Sequence, residues 1–135
     1  MILLLITHFG VEDLSLLRPL KNIEVIWPAD PIEAKAAAKY VLNNKGPAYI
    51  RLGKNKEPEL YENEIVLEKG IPLVHGEIQE FLLLSTGPIG LQTKNVVKIL
   101  NEKGIIITFV SSPFIKPLSN KFFFDKCNNV KKYLP

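Results

Sequence analysis

The sequence predicts an α/β protein built from two units of parallel sheet that are joined by a charged linker. Short apolar runs of strand length alternate with amphipathic helical segments, first over residues 1–53 and again over residues 80–135. Between them, residues 54–79 lose this period and gather charge, as linkers do. With 135 residues, of which 47% are hydrophobic and 23% charged, the chain can bury a core without disulfides or structural metals.

The first unit contains three predicted strands and two predicted helices. Asp30 and Pro31 mark a helix start, because a carboxylate can accept unpaired amide hydrogens and proline suits the first helical turn. Gly46 and Pro47 separate that helix from the strand that follows it. The predicted order is strand 2–6, helix 11–20, strand 23–27, helix 31–42 and strand 48–52.

The second unit is predicted as strand, helix, strand. Residues 81–85 form an apolar run, Thr86-Gly87-Pro88 opens a helix that Gly104 ends, and residues 105–110 are rich in β-branched side chains. Units of this kind almost always cross over with a right hand. Within the linker, a short hairpin is predicted around Lys69-Gly70, between residues 65–67 and 71–74.

Charge and cysteine content exclude several classes of protein. Lysine and arginine exceed aspartate and glutamate by only three, and a nucleic-acid-binding surface would need a denser basic patch with stacking aromatics. The apolar start, residues 1–6, is too short for a membrane span and lacks the basic flank of a signal peptide. The lone Cys127 cannot form an internal disulfide. We therefore expect a cytoplasmic protein without a membrane or nucleic-acid partner.

Three blocks of sequence carry a family resemblance. They are Thr7–Leu14 (THFGVEDL), Ile23–Asp30 (IEVIWPAD) and Gly46–Gly53 (GPAYIRLG). In order and spacing they resemble the pyrimidine-binding domain of the transketolase family, the thiamine diphosphate enzymes that include deoxyxylulose phosphate synthases and the C-terminal subunits of split transketolases. Further along, Ser85–Gly87 and Ser112–Leu118 resemble recurring motifs of the transketolase C-terminal domain.

The resemblance implies two incomplete domains. Residues 1–53 would be part of the pyrimidine-binding domain, residues 54–79 a linker, and residues 80–135 the start of the transketolase C-terminal domain. Each unit would be short of strands and would expose sheet edges, so we expect association. The partner would be a second copy, since the family's enzymes work as dimers, or a complementary subunit that carries the pyrophosphate-binding domain.

The resemblance also implies thiamine diphosphate and magnesium as cofactors. The family's Gly-Asp-Gly...Asn magnesium motif and its cofactor-activating glutamate are both absent from this sequence, so no cofactor-binding or metal-binding residue is assigned. His8 and His75 lack the spacing of metal ligands. We therefore expect that the chain is not catalytic by itself and that it is a truncated product or one subunit of a larger enzyme.

His8, Arg51 and Lys54 are the candidate site residues. The resemblance implies that His8 is catalytic and points into the channel over the thiazolium ring; the alternative is a histidine that caps the following helix. Arg51 ends a predicted parallel strand, where ligands bind in open α/β sheets, and the resemblance implies that it holds the phosphate of a sugar substrate. Lys54 is a second phosphate-binding candidate. A surface salt bridge is the alternative for both cations and the better interpretation of Lys54.

Five further residues have structural interpretations. Glu12 and Asp13 would complement the dipole of the helix that they start. Trp27 would pack between the two units, His75 would be a solvated loop histidine, and Cys127 would be buried on an amphipathic tail.

The implied function is transfer of a two-carbon ketol unit between sugar phosphates, dependent on thiamine diphosphate and inactive in the isolated chain. The alternative is a non-catalytic assembly module, or truncated remnant, that binds a partner subunit. An unrelated small-molecule-binding α/β protein would require the three blocks to coincide by accident.

Overall fold

The computed structural model describes residues 12–53, 58–127 and 132–134, with the backbone alone at residues 127 and 132–134. The predicted first strand lies outside this range. In chain order the elements are α1 (Asp13–Leu17), β1 (Glu24–Ile26), α2 (Pro31–Asn43), β2 (Ala48–Ile50), β3 (Leu73–His75), β4 (Phe81–Ser85), α3 (Gly90–Glu102), β5 (Ile107–Ser111), β6 (Phe114–Lys116), α4 (Asn120–Cys127) and β7 (Lys132–Leu134). A 3₁₀ turn, Gly87–Ile89, leads into α3. None of the helices in this part of the chain is long and apolar enough to cross a membrane.

The strands form two small mixed sheets, which confirms the α/β class. The first sheet has the order β2-β1-β6 and the second the order β3-β5-β4-β7. Strands β1 and β2 are parallel, as are β4, β5 and β7, while β6 and β3 each add one antiparallel strand. The sequence did not predict these antiparallel pairings, because the paired strands lie far apart along the chain.

The predicted hairpin around Lys69-Gly70 is wrong. Residues 65–67 form no strand, and β3 pairs with β5 instead, with Val74 opposite Val110. The second apolar run that suggested a hairpin, residues 71–74, contributes to a long-range pairing instead, since Val74 packs on the cluster of Leu82 and Val110.

Helix α2 begins as the sequence predicts. The backbone N–H of Glu33 donates to Asp30 Oδ1 at 2.7 Å, and Pro31 is the first helical residue. The other oxygen of Asp30 accepts a hydrogen bond from the backbone N–H of Leu60 at 2.6 Å. One side chain therefore both starts the helix and holds the segment that follows residues 54–57.

Two apolar clusters form most of the core. Alanines on the inner face of α2 let the helix lie close to the first sheet, and the second cluster lies between α3 and the second sheet. Leu60 and Leu67, from the charged segment between the sheets, are each buried in one cluster. The buried members are Ile26, Ala36, Ala37, Leu67 and Phe114 in the first, and Ala29, Leu60, Val97, Ile107 and Phe109 in the second.

The two sheets meet where β1 and β4 end. The N–H of Gly87 donates to the carbonyl of Trp27 at 3.1 Å. Gly87 has φ +70°, and a Cβ at this position would lie 2.5 Å from the Trp27 ring. A residue with a side chain would be strained and would also clash, so glycine fits here for two reasons. The prediction that Trp27 packs between the two units is confirmed.

Candidate functional site

Arg51 lies directly after β2, at the C-terminal edge of the first sheet. Its backbone N–H donates to the carbonyl of Ile26 at 2.9 Å and so continues the ladder by one residue. The guanidinium carbon lies 4.8 Å from the centroid of the Trp27 ring, within cation–π distance. The side chain is 29% exposed. The edge of the sheet therefore holds a cation on an aromatic platform that solvent can reach.

Asp13 is the anionic partner of Arg51. Its Oδ1 atom lies 2.7 Å from Nη1 of Arg51, and its Oδ2 atom accepts a hydrogen bond from the Tyr49 hydroxyl at 2.5 Å. Burial raises the pKa of Asp13, but the Tyr49 hydroxyl, the Arg51 charge and first-turn backbone N–H groups outweigh burial and hold that pKa below its ordinary value. Asp13 lies in the first turn of α1 as predicted, whereas Glu12 makes no side-chain capping hydrogen bond. We call Asp13, Tyr49, Arg51 and Trp27 the edge cluster.

An open cleft of about 710 Å³ lies beside the edge cluster. Trp27 belongs to both, and Arg18 is the cation in the lining of the cleft. Thr86, just after β4, lines it from the second sheet. The C-terminal ends of strands from both sheets therefore border one cleft, the position at which α/β sheets bind ligands.

A second polar cluster is buried between the sheets. Glu33, on α2, is 0% exposed and accepts three hydrogen bonds. The donors are the backbone N–H of Ala29 at 2.7 Å, the Tyr61 hydroxyl at 2.7 Å and the Ser111 hydroxyl at 2.6 Å. Burial raises the pKa of Glu33, and its three donors offset only part of that rise. Because Ser111 belongs to β5, the Glu33 carboxylate connects α2 to the second sheet.

His75 extends this buried cluster, and its interpretation as a solvated loop residue is wrong. It lies on β3, with its ring centroid 4.6 Å from that of Phe109 and its Nε2 atom 3.2 Å from the Tyr61 hydroxyl. The Tyr61 hydroxyl donates its hydrogen bond to Glu33. In the hydrogen bond between His75 and Tyr61, Nε2 of His75 is therefore the donor and the tyrosine oxygen the acceptor. Burial, and then the charge of Lys94, lower the pKa of His75 from 6.5 to about 4. We call Glu33, Tyr61, His75 and Ser111 the buried hub.

Sequence reasoning missed the buried hub. Glu33 follows Asp30 at the spacing of a first-turn acidic residue, which predicts exposure and an interaction with the helix dipole. Its actual partner Ser111 is 78 residues away. The run Ser111-Ser112 at the end of an apolar strand was the only visible sign that the strand end meets a polar group.

Two of the three candidate site residues, His8 and Lys54, lie outside the described residues. The same holds for the side chain of Cys127. Within residues 12–53 and 58–127, no group of three or more His, Cys, Asp or Glu side chains could hold a metal ion.

Comparisons with known proteins agree on one family. Residues 5–58 match the sequence model of the transketolase pyrimidine-binding domain. The chain is 28% identical over 125 residues to an apulose-4-phosphate transketolase subunit of Actinobacillus succinogenes, covering 93% of this chain and 40% of that protein. It is 30% identical over 119 residues to a putative transketolase C-terminal section of Methanocaldococcus jannaschii, covering 85% of this chain and 37% of that protein.

The fold agrees with the sequence comparison. A solved structure described as a split gene transketolase, inactive beta4 tetramer, superposes with a TM-score of 0.83 at 28% identity, covering 91% of this chain and 41% of that chain. The chain thus spans about 40% of the length of these relatives. The sequence blocks, the α/β fold and these matches together show that the chain is similar to members of the transketolase family, and residues 5–58 match the pyrimidine-binding domain of that family.

Proposed function

We propose that this chain supplies the substrate side of a transketolase-like active site that is completed by another chain. The reaction would be thiamine diphosphate-dependent transfer of a two-carbon ketol unit between sugar phosphates. His8, Arg51 and Lys54 would face the substrate, with His8 exchanging protons and the two cations holding the phosphate.

The observation that carries this proposal is the position of Arg51. It belongs to the segment that matches the pyrimidine-binding domain and lies at the C-terminal end of a parallel strand. Its guanidinium is partly exposed and lies over Trp27, a residue that lines the cleft together with Arg18. A guanidinium at this edge of the sheet suits an anionic ligand such as a phosphate ester.

The cofactor would be held largely by the completing chain. Thiamine diphosphate supplies the carbanion chemistry of the family, and the protein supplies orientation and electrostatics. A subunit with a pyrophosphate-binding domain would bring magnesium and the diphosphate contacts. We therefore expect the chain to be inactive alone.

Exposed apolar side chains support an alternative, a non-catalytic assembly module. Leu42 is 85% exposed and Val66 is 84% exposed, and within the described part of the chain β2 has a sheet neighbour on one side only. Such features invite association with a second copy or a different subunit. In this alternative Arg51 would have no substrate.

Reconstitution separates the two functions. The chain would be mixed with a pyrophosphate-domain subunit of a split transketolase, thiamine diphosphate, magnesium, a ketose phosphate donor and an aldose phosphate acceptor. We expect ketol transfer only in the mixture, and Arg51→Gln should raise KM for the phosphate-bearing substrates by about tenfold, the loss expected for one charge-assisted contact.

Lys39→Gln is the matched control for that variant. It removes a cation that is 55% exposed on α2 and paired with Glu64, away from the edge cluster. The control should behave as the wild type does. Stable association of the chain without any transfer activity would instead favour the assembly module.

A further inference from the structure

The guanidinium of Arg51 already has an anionic partner within its own chain. Nη1 of Arg51 lies 2.7 Å from Asp13 Oδ1, and the Asp13 side chain is only 16% exposed. A phosphate ester that binds Arg51 must share that cation with a carboxylate or replace the carboxylate. The ion pair therefore lowers the affinity of the site for any external anion.

We propose that Asp13 is a positioning residue that competes with anionic ligands for Arg51, so that a phosphate-bearing ligand binds by displacing the Asp13 carboxylate. This inference rests on the proposed role of Arg51 as a phosphate ligand. It assigns to Asp13 a role in setting ligand affinity, in addition to its place in the first turn of α1.

Tyr49 makes the displacement possible at modest cost. Its hydroxyl donates to Asp13 Oδ2 at 2.5 Å, independently of the contact with Arg51. When the guanidinium turns to a ligand, the carboxylate keeps this hydrogen bond and is not left as a buried charge without a partner, which would be far more costly. Tyr49 and Arg51 are two residues apart at the end of the same strand, so their side chains lie on the same face and contact the same carboxylate.

Trp27 keeps the cation at the edge of the sheet during the exchange. The guanidinium carbon of Arg51 lies 4.8 Å from the centroid of the Trp27 ring, and the ring packs closely against Gly87. A phosphate carries more charge than a carboxylate and can accept two parallel N–H donors from arginine. These properties favour the external anion once the ligand concentration is high enough.

The chain contains a built-in probe for this exchange, because Trp27 is its single tryptophan. Inorganic phosphate would be titrated into the full 135-residue chain at constant ionic strength while the Trp27 fluorescence is recorded. Asp13→Asn should bind phosphate about fivefold more tightly than the wild type, the factor that corresponds to losing an internal ion pair of this exposure. Asp13→Ser removes the same charge with a smaller side chain and should tighten binding similarly, should the Asn variant fail to fold.

Two controls distinguish the possible failures. Tyr49→Phe removes the hydroxyl that stays bonded to the displaced carboxylate and leaves the charge of the cluster unchanged, so it should weaken phosphate binding by about fivefold, as expected for the loss of a hydrogen bond to a charged group at a partly exposed site. Arg51→Gln should abolish the fluorescence response to phosphate.

A loss of the response in Arg51→Gln, with equal affinities in the wild type and both Asp13 variants, would overturn the role of Asp13 and leave that of Arg51 intact. An unchanged response in Arg51→Gln would overturn the phosphate-binding role of Arg51 and, with it, the competing role of Asp13. A purely structural Asp13 predicts equal or weaker phosphate binding when its charge is removed.

Discussion

The edge cluster and the buried hub each place a carboxylate against a tyrosine hydroxyl, but they treat the charge in opposite ways. Asp13 faces a guanidinium at a partly exposed sheet edge, and its pKa is lowered. Glu33 is fully buried among three neutral donors, and its pKa is raised. Rearranging an ion pair that water reaches costs little free energy, whereas removing a hydrogen-bond donor from a buried carboxylate costs much more.

This difference separates a region suited to ligands from a region that holds the fold together. The buried hub connects α2 to β5 and, through Tyr61 and His75, to β3. The edge cluster connects α1 to the end of β2 and to Trp27. Substitutions in the buried hub should therefore change stability, and substitutions in the edge cluster should change anion binding.

The greatest loss of stability is expected from Glu33→Gln. An amide offers one oxygen where three donors point at a carboxylate, so at least one buried donor loses its acceptor. We expect a loss of about 3 kcal/mol in the free energy of unfolding, measured by urea denaturation. Asp13→Asn, the same change of carboxylate to amide in the edge cluster, should cost about 1 kcal/mol or less. Equal costs at the two positions would remove the distinction between the two clusters.

A smaller effect is expected from Gly87→Ala, which tests the support beneath Trp27. The new methyl group would meet the ring at 2.5 Å and would also sit at φ +70°. Gly104→Ala is the matched control, because Gly104 has φ +82° and nothing within 4 Å of an added Cβ. The Gly87 variant should lose about 2 kcal/mol more than the control, since overpacking adds to the shared backbone strain. Similar losses would mean that the ring moves freely.

The weakest of the three effects is a pH dependence that originates at His75. Its pKa is about 4 in the folded protein against 6.5 ordinarily, so the unfolded chain binds more protons between these values. Stability should therefore fall as the pH is lowered from 6.5 towards 4. After allowance for partial solvent screening, we expect a loss of about 1 kcal/mol.

His75→Gln isolates this contribution. Glutamine can still donate to the Tyr61 hydroxyl but does not titrate. The raised pKa of Glu33 acts in the opposite direction, because a folded state that binds the proton more tightly gains stability as the pH falls. Urea denaturation of wild type and variant at several pH values therefore has to be compared as a difference. A difference that does not change with pH would show that His75 does not titrate in this range.

Local signals were sufficient for part of the fold. Asp30, Pro31 and the Gly46-Pro47 pair predicted α2 nearly to the residue, and the apolar runs predicted β4 and β5. Strand β6 was missed, and the strand predicted at residues 71–74 overlaps β3 but was given the wrong partner, because both strands pair with strands distant in sequence.

The candidate site divides in the same way. Arg51 was predicted from its place at the end of a strand and from the family resemblance. Its partner Asp13, 38 residues earlier, was assigned only to the helix that it starts. The ion pair between Asp13 and Arg51 depends on how α1 packs against β2, and this packing cannot be predicted from the local pattern of charges.

The main proposal is that this chain acts in a thiamine diphosphate enzyme only together with a chain that brings the pyrophosphate-binding domain. The decisive experiment is calorimetric titration with thiamine diphosphate and magnesium, performed on the chain alone and on its mixture with a pyrophosphate-domain subunit of a split transketolase. We predict saturable binding in the mixture, none by the chain alone, and less heat from the subunit alone than from the mixture. Stoichiometric binding by the isolated chain would contradict the proposal, and an absence of binding in the mixture would leave the assembly module as the function of the chain.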